Sequence, residues 1–193
     1  MSPKTEWGVI DAEPATIGGI YTSYVIILAA IGPIAGLIGQ QVFGYSLMGV
    51  TYKPPMNWSI GMAVIGYVMT LVSCYVSALI IDALAPTFGG TKDMLKAFKV
   101  AAYSATAAWL AGIFAIIPML AMLSIVGLYS LYLLYLGLPR LMRVSEDKAV
   151  GYTVVVIIVQ IVLYFLVAFV VAALVGAFFG AAMLGGAAPV VRY

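Results

Sequence analysis

Histidine is absent from this sequence of 193 residues, and cysteine occurs once, at Cys74. Without these side chains the protein lacks the proximal histidine of haem sites, the usual zinc ligands and any internal disulfide. The commonest general base of enzymes is missing as well. Cys74 stands inside an apolar run, which is typical of a packed thiol rather than a reactive one. We therefore predict no cofactor and no bound metal.

Charge is also scarce, because only 8% of the residues are charged and the formal net charge is +2. A soluble globular domain is nearer one quarter charged and one half apolar. Here 65% of the residues are hydrophobic and the mean hydropathy is +1.15. So much apolar surface needs the bilayer as its solvent. A small net charge also gives no basic field for nucleic acid, which is excluded as a partner.

Apolar runs of about 20 residues are needed to cross the hydrocarbon core of a membrane. Pro118 divides the longest run, 101–138, and indicates a tight turn between two helices. The charged start of the chain does not resemble a cleavable signal, so the first run is expected to be retained. We predict an all-α polytopic protein, one transmembrane domain over 1–193 with spans at about 17–38, 59–84, 101–117, 119–138 and 149–174.

The positive charges fall mainly on one side of this predicted bundle. Lys53 and Arg192 are the two on the other side. Cytoplasmic loops carry the excess of lysine and arginine, so the N-terminus is predicted inside and Tyr193 outside. The seven cations on the inner side are Lys4, Lys92, Lys96, Lys99, Arg140, Arg143 and Lys148.

Six of those cations are candidate ligands for lipids or partners. If Thr91 caps a helix, the three lysines that follow share one stripe, as in a helix that lies in the membrane interface. With the cations after the fourth span they would form a patch for anionic lipid headgroups or an acidic partner. The alternative is that they serve only to anchor the topology. The candidates are Lys92, Lys96, Lys99, Arg140, Arg143 and Lys148.

Small and polar residues recur at steps of three and four in the second span and share one face. Such a face is either a polar pathway or, as we favour, a surface for close helix packing in lipid. Asp82 is the one ionisable residue within the spans, and its position near the inner end favours a structural role. Gln160 is expected to make an interhelical hydrogen bond. The candidate polar or packing residues are Thr70, Ser73, Ser77, Asp82, Tyr129, Tyr132 and Gln160.

Four stretches of the sequence are distinctive: EPATIGGIYTSYVI (13–26), LAPTFGGTKD (84–93), AAYSATAAWLAGI (101–113) and LYSLYLLYLGLPRLMRVSEDKAVGYT (128–153). In this order and spacing they resemble the bacterial branch of the YIP family of Ypt/Rab-interacting membrane proteins. The resemblance covers roughly residues 1–175 and implies five spans with a cytoplasmic N-terminus. Eukaryotic relatives act in early secretory traffic and bind prenylated small GTPases. They carry a long cytosolic N-terminal region that this sequence lacks, so that role is not expected here. The sequence departs from the bacterial pattern at Ala107, where proline is usual.

The sequence contains no nucleophile elbow, phosphate loop or metal motif, so an enzyme is not expected. The leading hypothesis is a non-catalytic protein of the bacterial inner membrane that organises lipids or partner proteins, including other copies of itself. A small transporter, channel or lipid scramblase is the main alternative. An accessory subunit of a larger membrane complex is a third.

Overall fold

The computed structural model describes residues 3–47 and 50–184, so Arg192 and Tyr193 lie outside the described residues. Within these ranges five helical segments are long and apolar enough to cross a membrane, as predicted. The all-α fold with five spans is thereby confirmed. Spans 1 to 5 are Ile17–Val42, Met56–Phe88, Met94–Ile116, Pro118–Leu141 and Glu146–Ala173.

Span 1 begins at Thr16, whose side-chain oxygen accepts a hydrogen bond from the backbone N–H of Gly19. The span is divided near Ala30, and Pro33 falls in the first turn of its last segment. The missing N–H of proline is tolerated there because a first-turn N–H has no partner within the helix. The segments are Ile17–Ile20, a π-helical turn Tyr21–Val25, Ile26–Ala29 and Ile31–Val42.

Span 2 is a long α-helix, Met56–Leu84, followed by a 3₁₀ turn, Ala85–Phe88. Gly89 ends it with a left-handed backbone (φ 75°), a conformation that glycine adopts without a steric penalty. The next N–H, of Gly90, bonds to the Ala85 carbonyl at 2.9 Å. The helix therefore stops at the glycine pair, as the sequence indicates.

Span 3 is capped by Asp93, whose carboxylate accepts from the N–H of Lys96 at 3.1 Å. The prediction that Thr91 caps this helix is therefore wrong, and the helix begins two residues later. The α-helix is interrupted at Ala105. The segments are Met94–Ser104, Thr106–Ala111 and a 3₁₀ stretch Gly112–Ile116.

The predicted turn at Pro118 is present. Ile117 is extended (φ −116°, ψ 115°), which breaks the helix, and Pro118 starts the next one. Span 4 is a 3₁₀ helix Pro118–Leu128 that continues as an α-helix Tyr129–Leu141. Span 5 belongs to the α-helix Glu146–Leu184.

Two elements outside the spans were not predicted. A helix, Pro3–Ala12, precedes span 1 and is called the N-terminal helix below. A two-stranded antiparallel hairpin, Tyr45–Leu47 with Val50–Tyr52, joins spans 1 and 2, with Tyr45 opposite Tyr52. Gln41 fastens this connection to span 2, because its amide donates to the Ser59 hydroxyl at 2.7 Å.

Span 3 is the most enclosed span, packing against spans 1, 2 and 4, whereas spans 4 and 5 are the least enclosed. The buried core concentrates at one end, where Phe98, Leu138, Met142 and Tyr152 are fully buried. That end carries the N-terminal helix, the connection between spans 2 and 3 and the connection between spans 4 and 5. We call it the basic end.

Candidate functional site

The two connections at the basic end are joined to each other. The backbone N–H of Thr91 donates to the Met142 carbonyl at 2.9 Å. A Cβ on Gly90 would lie 2.7 Å from that same carbonyl oxygen and 2.7 Å from Cγ2 of Val144, so only glycine fits without a shift. The loops therefore form one packed surface rather than two independent turns.

The N-terminal helix docks on span 4 through Trp7, which is only 3% exposed. Its ring lies against Gly137, where an added Cβ would come within 2.7 Å of ring carbon Cζ2. Sequence analysis missed this contact. Two features of the sequence could have indicated it: a tryptophan in the charged N-terminal segment, and a glycine near the end of an apolar span.

Lys99 lies inside the protein, with 3% of its surface exposed. Its ammonium group donates to the backbone carbonyls of Ile10 and Glu13, each at 2.6 Å. It thereby ties the end of the N-terminal helix to span 3. Lys99 was predicted to share an exposed basic stripe, but burial leaves it no access to a lipid headgroup.

Lys96, the next candidate, forms an ion pair with Asp11 of the N-terminal helix at 2.7 Å. Both side chains are partly exposed, so this pair contributes about 0–1 kcal/mol. Two of the three lysines of the predicted stripe, Lys96 and Lys99, therefore hold the N-terminal helix in place. Only Lys92 of that stripe is exposed.

Four of the six predicted cations remain exposed at the basic end. Lys92, Arg143 and Lys148 lie on or next to the joined loops, and we call these three residues the basic surface. Lys148 places its ammonium group 3.5 Å from the position of a Cβ on Gly89, so it lies beside the span 2–3 connection. The structure thus brings cations from both connections to one surface.

Arg140 lines a cleft of about 710 Å³ between the N-terminal helix, span 4 and the start of span 5. A Cβ on Gly8 would lie 2.8 Å from a terminal nitrogen of Arg140, so the guanidinium rests against the backbone of the N-terminal helix. The cleft is lined by Lys4, Tyr132, Tyr135, Leu136, Pro139, Arg140, Val144, Glu146 and Ala149.

The small polar face of span 2 makes contacts within and between helices. The Thr70 hydroxyl donates to the carbonyl of Gly66 in its own helix at 2.9 Å. The Ser77 hydroxyl lies 2.7 Å from the Ser73 carbonyl and 2.9 Å from Oε1 of Gln160 in span 5. The contact between Ser77 and Gln160 joins spans 2 and 5, as expected for Gln160.

Asp82 has one carboxylate oxygen buried without a hydrogen-bond partner among the described residues. Its neighbourhood includes Tyr152, whose hydroxyl donates to the Ile81 carbonyl at 2.6 Å and so joins span 5 to span 2.

Tyr129 and Tyr132 lie on the outer surface of span 4, each more than 40% exposed, with ring centroids 5.5 Å apart. Other tyrosines form hydrogen bonds between spans, which the sequence did not indicate. Tyr21 donates to the Leu71 carbonyl at 2.6 Å, and Tyr67 donates back to the Ile26 carbonyl at 2.8 Å. Spans 1 and 2 are therefore joined by two reciprocal bonds.

Five apolar helices and one charged end define a polytopic α-helical membrane protein. Among the described residues, no three histidine, cysteine, aspartate or glutamate side chains come together in a way that could hold a metal ion. The Yip1 domain family matches residues 1–169, and the chain belongs to that family. The YIP resemblance of the four sequence stretches is thereby confirmed. Neither the curated proteins nor the solved structures gave a match.

Proposed function

We propose that this chain is a non-catalytic membrane protein that organises lipids, and that the basic surface binds anionic headgroups. The observation that carries the proposal is the convergence of Lys92, Arg143 and Lys148 on loops that are bonded to each other. Each cation near a membrane surface contributes about 1 kcal/mol to attraction of anionic lipid. An acidic partner protein would be attracted by the same charges.

The basic end lies in the cytoplasm, on the inner side of a bacterial inner membrane. This orientation is supported by the count of seven cations against two on the two sides of the bundle. The buried position of Lys99 weakens its role in lipid contact but not in the charge count, because insertion precedes packing. The cytoplasmic leaflet is also the more anionic one, which agrees with the proposed ligand.

The test compares the intact chain with the triple variant K92Q/R143Q/K148Q. Purified protein in mild detergent is titrated with phosphatidylglycerol, and bound lipid is counted by native mass spectrometry. Loss of three cations at about 1 kcal/mol each predicts affinity lower on the order of 100-fold. The control is Lys53→Gln, because Lys53 lies at the opposite end of the bundle.

Phosphatidylglycerol binding that stays unchanged at low salt in the triple variant would contradict the lipid proposal. If the variant loses an acidic protein that co-purifies from native membranes while lipid binding is unaffected, the basic surface is a protein-docking surface instead. Both variants are first checked for a monodisperse elution profile, so that misfolding is not read as loss of binding.

A further inference from the structure

The cleft between the N-terminal helix, span 4 and span 5 has the size of a ligand site. Its volume is about 710 Å³, within the usual range of about 300–1,000 Å³ for small-molecule sites. Three helices build it, with Lys4 on the N-terminal helix, Arg140 on span 4 and Glu146 on span 5. The cleft therefore exists only when the N-terminal helix is docked.

Two cations, Lys4 and Arg140, line the charged part of this cleft. Lys4 and Gly8 are four residues apart on the N-terminal helix and so share one face. Gly8 is the residue whose backbone supports the guanidinium of Arg140. Docking thus brings the Lys4 ammonium to the same cleft wall as Arg140, and a guanidinium beside an ammonium suits a phosphate group.

A carboxylate faces the same space. Glu146 lies in the first turn of span 5 and lines the cleft with the two cations. A ligand that carries only negative charge would meet repulsion from Glu146. A ligand with a phosphate and a primary ammonium satisfies all three groups, because the phosphate can lie between Lys4 and Arg140 and the ammonium can donate to Glu146.

The remainder of the cleft is apolar and points along span 4. Tyr132 is eight residues before Arg140, which is about 12 Å along a helix. Tyr132 and Tyr135 are 43% and 40% exposed, so the cleft continues into the open, apolar surface of span 4. A charged part followed by an apolar part along span 4 matches an amphiphile rather than a water-soluble zwitterion.

We infer that this cleft binds one phospholipid with a phosphate and a primary ammonium in its headgroup, that is, phosphatidylethanolamine, with its acyl chains along span 4. The inference rests on the proposed function only in that lipid is the ligand. Its residues, Lys4, Arg140 and Glu146, are distinct from the basic surface, and its lipid is zwitterionic rather than anionic.

The test uses the full chain, stripped of lipid in mild detergent, with three probes of identical acyl chains: phosphatidylethanolamine, phosphatidylcholine and phosphatidylglycerol. In the triple variant K92Q/R143Q/K148Q, which lacks the cations of the basic surface, phosphatidylethanolamine is expected to bind at least tenfold more tightly than the other two. Phosphatidylcholine has no N–H to donate to Glu146, and phosphatidylglycerol has no ammonium. Native mass spectrometry measures each affinity.

The variants separate binding from folding. Lys4→Gln and Arg140→Gln are each expected to lower phosphatidylethanolamine affinity at least fivefold, with Arg140→Lys restoring part of it. Glu146→Gln is expected to abolish the preference for phosphatidylethanolamine while phosphatidylglycerol binds as well as before or better. A general structural defect would lower all three affinities together, so this change of preference is diagnostic. Lys4→Gln and Glu146→Gln keep the test decisive if Arg140→Gln does not fold, because both side chains are exposed.

Three results would overturn the inference: equal affinity of the triple variant K92Q/R143Q/K148Q for the three lipids, equal losses for all lipids in Glu146→Gln, or displacement of phosphatidylethanolamine by millimolar inorganic phosphate. The last would indicate a site for free phosphate. The triple variant K92Q/R143Q/K148Q should keep the preference for phosphatidylethanolamine. If no preference for phosphatidylethanolamine is found, the effect of the triple variant on phosphatidylglycerol binding still tests the basic surface. The two proposals can therefore fail separately.

Discussion

The ammonium group of Lys99, in span 3, lies 2.6 Å from the backbone carbonyl oxygen of Glu13, at the end of the N-terminal segment. A second carbonyl, that of Ile10, accepts from the same ammonium at 2.6 Å. Lys99 was counted as a loop charge in the positive-inside count. In the structure it is buried and joins span 3 to the N-terminal segment. With Trp7 on span 4 and the ion pair of Asp11 with Lys96, it holds the N-terminal helix in its docked position.

Replacing Lys99 with methionine keeps a long apolar stem but removes the donor. Hydrogen bonds to a charged group contribute about 1.5–3 kcal/mol, so we expect the free energy of unfolding to fall by about that amount. The freed N-terminal helix should also be cleaved by trypsin after Lys4 more rapidly. Denaturant titration and a digestion time course measure the two effects. Lys92→Met is the control, and equal behaviour of the two variants would contradict the tether.

Gly137→Ala should destabilise the docked N-terminal helix. The added Cβ would lie 2.7–2.9 Å from three atoms of the Trp7 ring, so the ring or span 4 must shift. Overpacking of this kind costs about 1–3 kcal/mol. The readout is the denaturation midpoint in detergent.

A matched control for this substitution is Gly36→Ala, since a Cβ at Gly36 meets nothing within 4 Å. That variant should keep its stability or gain slightly. Adding Trp7→Phe to Gly137→Ala should recover part of the loss, because a smaller ring leaves room for the methyl group. No recovery would show that Trp7 is not the group that clashes.

The bond between Ser77 and Gln160 should show a measurable coupling energy. A double-mutant cycle with Ser77→Ala and Gln160→Leu is expected to give about 0.6 kcal/mol, and no more than about 1.7 kcal/mol, as for other hydrogen bonds within membranes. Unfolding titrations of the four proteins supply the values. Strictly additive effects would mean that spans 2 and 5 do not depend on this contact.

Reconstituted vesicles should show no ion flux and no lipid flipping above empty vesicles. The reason is that the Thr70 and Ser77 hydroxyls are already bonded within or between helices, so they do not line an open path. Dye-based flux and labelled-lipid assays make the measurement. Activity that Ser77→Ala lowers would instead support the transporter or scramblase alternative.

Cysteine labelling tests the orientation. Lys53→Cys, on the connection between spans 1 and 2, should react with a membrane-impermeant maleimide in intact cells, whereas Lys92→Cys should react only after lysis. The native Cys74 is 6% exposed and gives little background. A reporter enzyme fused after Tyr193 should be active only outside the cytoplasm. The opposite labelling pattern would place the basic end outside and remove the argument for cytoplasmic lipids.

Much of the fold could be predicted from local features of the sequence. Hydropathy and length gave the five spans, Pro118 gave the turn between spans 3 and 4, and Gly89 with Gly90 gave the end of span 2. Each of these signals acts through residues next to it in the chain. The cap at Asp93 was missed because Thr91 offers the same kind of side-chain oxygen two residues earlier.

The candidate site was only partly visible in the sequence. Charge counting found Arg140 and Lys148, yet it treated Lys99 as equivalent to Lys92, because burial depends on what a side chain meets in space. It also passed over Lys4 and Glu146 as ligands, since neither belongs to a motif.

The sequence by itself determined that this chain spans a bilayer, how many spans it has and which connections are cationic. These properties follow from composition and from the length of apolar runs. Only the tertiary structure decided that Trp7 packs against Gly137 and that Lys99 binds the end of the N-terminal helix. It also decided that a cleft with both cationic and anionic side chains lies beside Arg140. The contacts of Trp7 and Lys99 join residues 86 or more positions apart. The packing of a ring on a glycine and the hydrogen bonds of a lysine to backbone carbonyls produce no periodic pattern in the sequence.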